Sequence, residues 1–490
     1  MEKYPMIAKT LAGLEDVLEQ ELIDLGAENV EPGRRMVSFY GDKRLMYKAN
    51  LHLRTALRIL KPIYEFDAED EELFYAALFR FDWGTIMDLN TSFAIDTVVY
   101  STTFTHSKFI GYKAKDAIVD WFAERDPEGR RPNIRLTNPD IRLHIHVAER
   151  HVTLCLDSSG ESLHKRGYRQ QQDIAPINEV LAAGILLKAG WKGDTDLLDP
   201  FCGSGTFLIE AALIARNIAP GVYRDRFAFE GWKDFDAALY NELYDDDSQE
   251  RPFEHHIYGS DISKKAIAIA QANVKRAGVR KEITLTQQAF QQTTPHSTPT
   301  LIVMNPPYGE RIDKYETEQL YQMIGSTLKH SYAGCEAWVI AHKPEHFNSI
   351  GLRQSFRQPL FNGALECELR GYSLFSGSNK EFKQEQAQNS QEKQPRRNPS
   401  FGKKKEIKPW RREEKSAYHK SKKQFEKKKD STEPQRGEFK REKPFTFKKE
   451  NHKSRQEKGQ DWQTSGMEQH NRRPSSKKSW LQVFESEENK

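Results

Sequence analysis

Cysteine is scarce and unpatterned in this chain. Cys155, Cys202, Cys335 and Cys367 are scattered through 490 residues with no CxxC pair. That argues against a disulfide framework or a cysteine-based zinc site and fits a reducing compartment. Long apolar runs are missing too. None approaches the roughly 20 residues that span a bilayer. The N-terminus mixes Glu2, Glu15, Asp16 and Glu19 with its apolar residues, so it is no signal peptide. A cytoplasmic protein with no membrane and no metal partner is the expectation. Lysine is absent from one informative place. The stretch Asp199-Pro200-Phe201-Cys202-Gly203-Ser204-Gly205-Thr206 looks like a strand, a glycine turn and a helix start, yet no lysine follows Gly205. The GxxxxGK[ST] phosphate loop is thereby excluded, and the stretch is not the GxGxxG pyrophosphate fingerprint either.

What is present is unevenly charged. The whole chain carries a formal +4, but residues 381–490 hold 31 Lys+Arg against 18 Asp+Glu, a net of +13. Residues 1–380 are left with 44 against 53, a net of −9. From about 377 onward Lys, Arg, Glu, Gln and Ser dominate and apolar periodicity disappears, so 377–490 reads as a disordered basic tail. Aromatics interleaved there with cations suit unpaired bases and phosphates.

The body alternates strands and helices. Residues 4–10 read as a strand, 13–25 as a helix with Leu14, Val17, Leu18, Leu22 and Leu25 on one face, and 36–40 as a second strand. Asp42 is placed to cap a helix running through Leu51. Beyond it, 71–79 and 109–122 read as helices, and 92–100, 141–148 and 152–156 as strands. His144 and His146 share a strand face, and with His151 they read as an exposed polar or RNA-facing surface rather than a metal site. An apolar helix is expected from Ala175 to Leu187 with Pro176 at its start. Then come strand 195–201, helix 206–218, a polar insertion over about 221–252, strand 256–261, helix 264–277, strands 282–287 and 300–304, helix 316–331 and strand 336–342. A closing β segment over 356–375 contains an Asn362-Gly363 turn. This alternation predicts an α/β, doubly wound parallel sheet preceded by a smaller α+β region.

Three motifs carry the chemistry. In the glycine turn, Gly203 and Gly205 leave backbone open to a bound molecule. Asp199 puts a carboxylate at the strand end, which suits an ammonium or hydroxyl ligand better than a phosphate. Asp261, in Gly259-Ser260-Asp261, ends the second strand, where an acid accepts from ribose hydroxyls; it is also placed to cap helix 264–277. Both acids fit a nucleoside that bears an amino acid and no phosphate, S-adenosylmethionine. Asn305-Pro306-Pro307-Tyr308 ends a later apolar run. The Asn305 oxygen and the Pro306 carbonyl are placed to accept both hydrogens of an exocyclic amine, and Tyr308 offers a face to the base. Holding such a planar, weakly basic nitrogen in line matters more than a strong base.

These residues resemble the class I S-adenosylmethionine-dependent amino-methyltransferases. DPFCGSGT is similar to their cofactor turn, GSDI to their ribose motif and NPPYG to their catalytic motif. Upstream, LMYKANLHLRTAL (45–57), GYKAKDAIVDW (111–121) and SLHKRGYRQQQDIAPINE (162–179) resemble the THUMP-domain RNA guanine-N2 methyltransferases, nearest to the large-subunit ribosomal RNA methyltransferase L type.

The resemblance covers about residues 1–376. It implies a ferredoxin-like region (1–51), a THUMP RNA-binding domain (52–160) and a Rossmann-like methyltransferase domain (161–376). By the same resemblance, Asp199, Pro200, Phe201, Gly203, Gly205, Thr206, Asp261 and Ile262 bind the cofactor, with Pro176, Asn178 and Glu179 near its methionine end. Asn305, Pro306, Pro307 and Tyr308 form the catalytic set, and Cys202 is structural. Lys113, Lys115, Lys165, Arg166 and Arg169 are the candidate RNA contacts.

Two departures stand out. Gln288-Ala289-Phe290 replaces the usual acid before Phe at the adenine contact. The second methyltransferase domain of some relatives has no counterpart motif here, so that activity is expected to be absent. Guanine-N2 methylation of 23S ribosomal RNA, free or in a pre-ribosomal particle, is the expected activity. A transfer-RNA enzyme of the same chemistry and a non-catalytic RNA-binding assembly factor are the alternatives.

Overall fold

The computed structural model describes residues 2–169, 176–307 and 314–375. The basic tail and Tyr308 lie outside the described residues. The chain first runs β1 (Tyr4–Lys9), α1 (Glu15–Asp24), β2 (Glu28–Gly33), β3 (Met36–Gly41), α2 (Lys43–His52) and β4 (Arg58–Asp67). It continues through α3 (Glu71–Arg80), β5 (Phe93–Tyr100), α4 (Ser107–Arg125), β6 (Ile141–Ala148) and β7 (His151–Asp157). Asp42 caps α2 as its position suggests, accepting from the Leu45 N–H at 2.9 Å.

These strands form one seven-stranded sheet in the order β2-β3-β1-β4-β7-β6-β5. Strand β4 is the shared member. Its start pairs antiparallel with β1, and most of its length pairs antiparallel with β7. The sequence reading separates 1–51 from 52–160, but one hydrogen-bonded ladder crosses that line.

A second set follows: α5 (Glu179–Lys188), β8 (Asp196–Asp199), α6 (Thr206–Ala215), α7 (Ala237–Asp245), β9 (Ile257–Asp261) and α8 (Lys264–Arg276). After these come β10 (Ile283–Gln287), β11 (Thr300–Met304), α9 (Lys314–Ser331), β12 (Glu336–Ala341), β13 (Phe356–Asn362) and β14 (Leu365–Ser373). Their sheet has the order β10-β9-β8-β11-β12-β14-β13. The first five strands are parallel, and the final hairpin adds antiparallel to β12. Helices α5, α6 and α8 cover one face through Leu181, Leu208 and Ile267; α9 covers the other through Tyr321, Ile324 and Leu328. Helix α5 begins at Glu179 rather than 175, because the Asn178 side chain caps it, accepting from Val180 N at 2.9 Å.

The insertion at 221–252 differs most from its polar appearance. Phe227, Phe229, Trp232, Leu239 and Leu243 are buried in the core of the first sheet. The ring of Phe229 stacks on Tyr47 of α2, centroids 4.4 Å apart. Tyr47 Oη accepts from the Asp236 N–H at 3.0 Å, and Arg44 reaches both oxygens of Glu242 at 2.8 and 3.0 Å. A Cβ on Gly221 would lie 2.8 Å from the Leu51 backbone, so the two segments meet main chain to main chain. Charge dilutes the aromatic signal in the sequence, and only the fold collects it on one side.

The outer face of β6 also differs from expectation. His144 is only 7% exposed, and among the described residues neither of its ring nitrogens has a partner. Burial, followed by the nearby Lys9 charge, pushes its pKa down to about 4; Asp96 opposes this, while Arg58 and His146 add to it.

Two outcomes follow. Phe229→Ala is expected to cost about 3–5 kcal/mol in urea unfolding, because an aromatic ring leaves a packed interface. For His144 the unfolded chain takes up a proton near the ordinary value and the folded chain near 4, so its stabilising contribution is complete above 6.5 and fades as pH falls towards 4. The stability difference between the protein and His144→Gln therefore changes between about pH 7 and pH 5, the wild type losing more. A difference that stays constant over that range contradicts the assignment.

Candidate active site

Strands β8 and β11 are neighbours, and the chain winds outward from them in opposite directions. A crevice opens at the carboxyl ends of such a pair. Asp199 ends β8 and Asn305 follows β11, so two motifs a hundred residues apart face one cavity of about 450 Å³.

Asp199 is 1% exposed and accepts from the Phe201 N–H at 3.1 Å. Burial, with the Asp261 charge adding to it, raises its pKa well above the usual carboxylate range. A cationic or hydroxyl ligand is the natural complement to such a group. Asp261 joins the two loops: Oδ2 accepts from Gly203 N at 3.1 Å and Oδ1 from Ser263 N at 2.8 Å. The cap of α8 is Ser263, not Asp261, with its hydroxyl accepting from Ala266 N at 3.2 Å.

The two glycines divide the work. At Gly203 (φ 51°) a Cβ would meet nothing closer than 4.0 Å, and the residue lines the cavity. Gly205 (φ 82°) does not line it; a Cβ there would lie 3.3 Å from Ala270, so this glycine lets α8 pack closely.

Pro200, Phe201, Thr206, Ile262 and Pro307 line the cavity with Asp199, Gly203, Asp261 and Asn305. Pro306 is buried outside its wall, and Ile262 is exposed at it. Asn178 and Glu179 stand off the cavity, while Pro176 and Ile177 reach it. Sequence reasoning missed Ile177, Cys202, Ser204, Phe207, Ser263, Ala266, Gln291, Leu320 and Met323, which line the cavity without belonging to a recognisable binding pattern. At the adenine-side departure, Ala289 and Phe290 line the cavity, whereas the Gln288 amide bonds to Gln292 O at 2.5 Å. Burial, and next the Asp199 charge, raise the Cys202 thiol far above its ordinary pKa. It is held as an unreactive thiol.

Asn305 Oδ1 is buried and has no hydrogen-bond partner among the described residues. An acceptor left so costs about 1–3 kcal/mol unless a donor arrives.

The basic candidates separate. Lys113 pairs with Glu72 at 2.7 Å and Lys115 with Asp116, both on α4; Lys165 is exposed and pairs with Glu161 at 2.9 Å. Arg166 is 2% exposed, so it does not face RNA. It lies against Glu210 at 3.4 Å and donates to Leu163 O at 2.9 Å. Tyr168 Oη completes this buried group by donating to Glu210 at 2.9 Å. Arg169 also turns inward. It pairs with Glu179 at 2.9 Å and donates to Ile177 O at 3.1 Å and Thr206 Oγ1 at 2.9 Å, bracing the crevice wall. Among the described residues no cluster of His, Cys, Asp or Glu is placed to hold a metal, and no helix is long and apolar enough to cross a membrane.

A sheet of this order, with an acid ending each of its first two strands and an Asn-Pro-Pro turn ending the fourth, defines a class I methyltransferase. Comparison with known proteins narrows the class. Residues 5–60 match the RlmL ferredoxin-like domain, 68–157 the THUMP domain and 166–370 the RMKL-like methyltransferase domain. A Synechocystis sp. protein assigned as an RNA methyltransferase is 36% identical over 378 residues, covering 76% of this chain and 97% of its own. Ribosomal RNA large subunit methyltransferase K/L of Methylococcus capsulatus is 39% identical over 368 residues, covering 73% of this chain and 49% of its own. This chain thus spans about half the length of its K/L relatives. The crystal structure of SMU.472, assigned as a methyltransferase and complexed with S-adenosylhomocysteine (SAH), is 29% identical with a TM-score of 0.69, covering 77% of this chain and all of that one.

The chain belongs to this family of THUMP-containing RNA methyltransferases, whose cofactor is S-adenosylmethionine. The cavity fits that cofactor: two acids, one open glycine and a buried acceptor with no partner among the described residues face it. Asp261→Asn is expected to weaken SAH binding roughly tenfold or more in a calorimetric titration, since a hydrogen bond to a charged acceptor contributes about 1.5–3 kcal/mol. Unchanged affinity removes Asp261 from the cofactor site.

Proposed function

We propose that this protein methylates the exocyclic N2 amine of a guanine in 23S ribosomal RNA, in the cytoplasm, on free RNA or an assembling subunit. S-adenosylmethionine supplies an electrophilic methyl group. In this reading Asp261 accepts from the ribose hydroxyls and Asp199 receives the positively charged amino-acid end, with Gly203 giving backbone access. Arg169 holds Thr206 and Glu179 in place around that end. Asn305 Oδ1 takes one amine hydrogen and the Pro306 carbonyl the other, so the nitrogen lone pair points at the methyl carbon. Tyr308 stacks on the base. The amine proton leaves to solvent, and no strong base is required. A paired guanine hides this edge, so the base must leave its helix to reach Asn305.

The observation that carries the reading is the Asn305 oxygen at the crevice, buried and without a partner among the described residues. A buried acceptor with nothing to accept suits a substrate that brings an N–H. The large-subunit name of the K/L relatives supports ribosomal over transfer RNA. A division of labour goes with the reading: residues 1–51 and 52–160 engage RNA and 161–376 carry out the transfer.

Asn305→Ala is expected to retain SAH and RNA affinity while losing turnover by about 10²-fold or more, as when a positioning contact to a reacting group is removed. Tritiated-methyl transfer measures this, and retained turnover rejects the mechanism. Nucleoside mass spectrometry of ribosomal and transfer RNA from cells with and without the protein tests the substrate. Loss of N2-methylguanosine from transfer RNA alone would overturn the ribosomal assignment.

A further inference from the structure

A second and larger cavity, of about 850 Å³, lies where the two sheets meet. Its walls come from six separate parts of the chain: the segment entering β6, the 159–169 connection between the sheets, residues 176–179 at the start of α5, the insertion, the end of α8 and the β13–β14 turn. Pro176 and Ile177 line both this groove and the cofactor crevice, so the two adjoin at these residues.

The groove is lined with cations, several of which are already neutralised. Arg166 and Arg169 are paired with Glu210 and Glu179, Lys165 with Glu161, and Arg142 with Asp96 at 2.9 Å. Three others have no ion pair among the described residues. Arg224 donates to four backbone carbonyls, those of Ser159, Glu161, Ser162 and Lys165, at 2.8–3.3 Å. Carbonyls hold a guanidinium without cancelling its charge. Burial, and after it the Arg166 charge, pull its pKa down to about 10, so it stays cationic at neutral pH. Arg226 is exposed at the groove. Arg276 is also exposed; its Nε donates to Gly167 O at 2.9 Å, which uses one of five donors. Against these three stand Asp225, an exposed lining carboxylate without an ion pair among the described residues, and Asp140, on whose carboxylate the Arg226 charge acts.

We infer that this groove is the track for the unpaired RNA strand next to the target base, with Arg226 and Arg276 on its phosphates and Arg224 beneath them as a fixed positive charge. The inference rests on the proposed function and adds the route by which the base arrives. A base passing Pro176 and Ile177 into the crevice leaves its neighbours' backbone in the groove. The target nucleotide is unpaired there, because its base cannot be both paired and in the crevice, and a single strand meets that condition without first being opened. The cations act on the backbone and are indifferent to sequence.

The test uses the full chain and a fluorescein-labelled single-stranded oligoribonucleotide, with anisotropy followed against KCl. The Arg226→Gln/Arg276→Gln double variant is expected to bind roughly tenfold more weakly, its log–log salt slope shallower by about 1.4, at ~0.7 per lost phosphate contact on a single strand. Arg226→Gln, which gives up no hydrogen bond among the described residues, should show about half that slope change. SAH affinity, read by calorimetry, should stay at the wild-type value in both and thereby report an intact fold. Wild-type RNA binding with an unaltered slope in both variants overturns the groove assignment alone. A duplex of the same length that competes as well as the single strand overturns the single-strand track. A wild-type chain that binds no RNA at all defeats the proposed function itself, and the groove with it.

Discussion

The stack of Phe229 on Tyr47 is the contact on which the geometry depends. Phe229 belongs to an insertion in the methyltransferase sheet, and Tyr47 to a helix of the first sheet. Around the stack lie Phe227, Trp232, Leu239 and Leu243, all buried. Apolar area leaving water on that scale makes the insertion part of the first domain's core. The two sheets are therefore joined by a shared core rather than by a surface contact. Leu14, at the N-cap of α1, adds to the joint: a Cβ on Gly184 would lie 2.6 Å from it.

This joint has a consequence for function. The groove and the crevice have walls drawn from segments that are distant in sequence, and a loose connection would let their openings drift apart. Arg166 lies in the connection and Glu210 on α6, both fully buried, with Tyr168 donating to Glu210 and Arg166 donating to the Arg54 carbonyl of the first domain. Buried ion pairs are weak sources of net stability but costly to break singly. Their value here is alignment, since few alternative packings satisfy every donor and acceptor.

In the crevice, the polar groups are placed before any ligand arrives. Asp261 ties the glycine turn to the following loop, Arg169 ties Thr206 to Glu179, and the Asn305 acceptor waits unpaired. Such preorganisation carries the cost of unmet hydrogen bonds in the free protein, which a ligand then relieves. The β11 end, with two prolines after Asn305, limits how far that acceptor can relax.

Local order was readable in the sequence because it rests on local rules. Period-2 and period-3.6 patterns, the Asp42 cap and the three motifs all act over a few residues, and they specify elements, the cofactor turn and Asn305. By themselves those patterns also determined the alternation that makes a doubly wound sheet. Only the tertiary structure decided the rest. Arg166 and Arg169 look like surface cations in KRGYR, yet both turn inward because Glu210 and Glu179 approach from helices, 44 and 10 residues further along the chain. His144 sits on an alternating strand and is nonetheless covered. Gly203 and Gly205 are neighbours in one motif, but one faces a ligand and the other faces α8. The acidic 221–252 segment hides an aromatic core. In each case the deciding neighbour is far along the chain, so burial and charge pairing emerge only when the fold brings the two together.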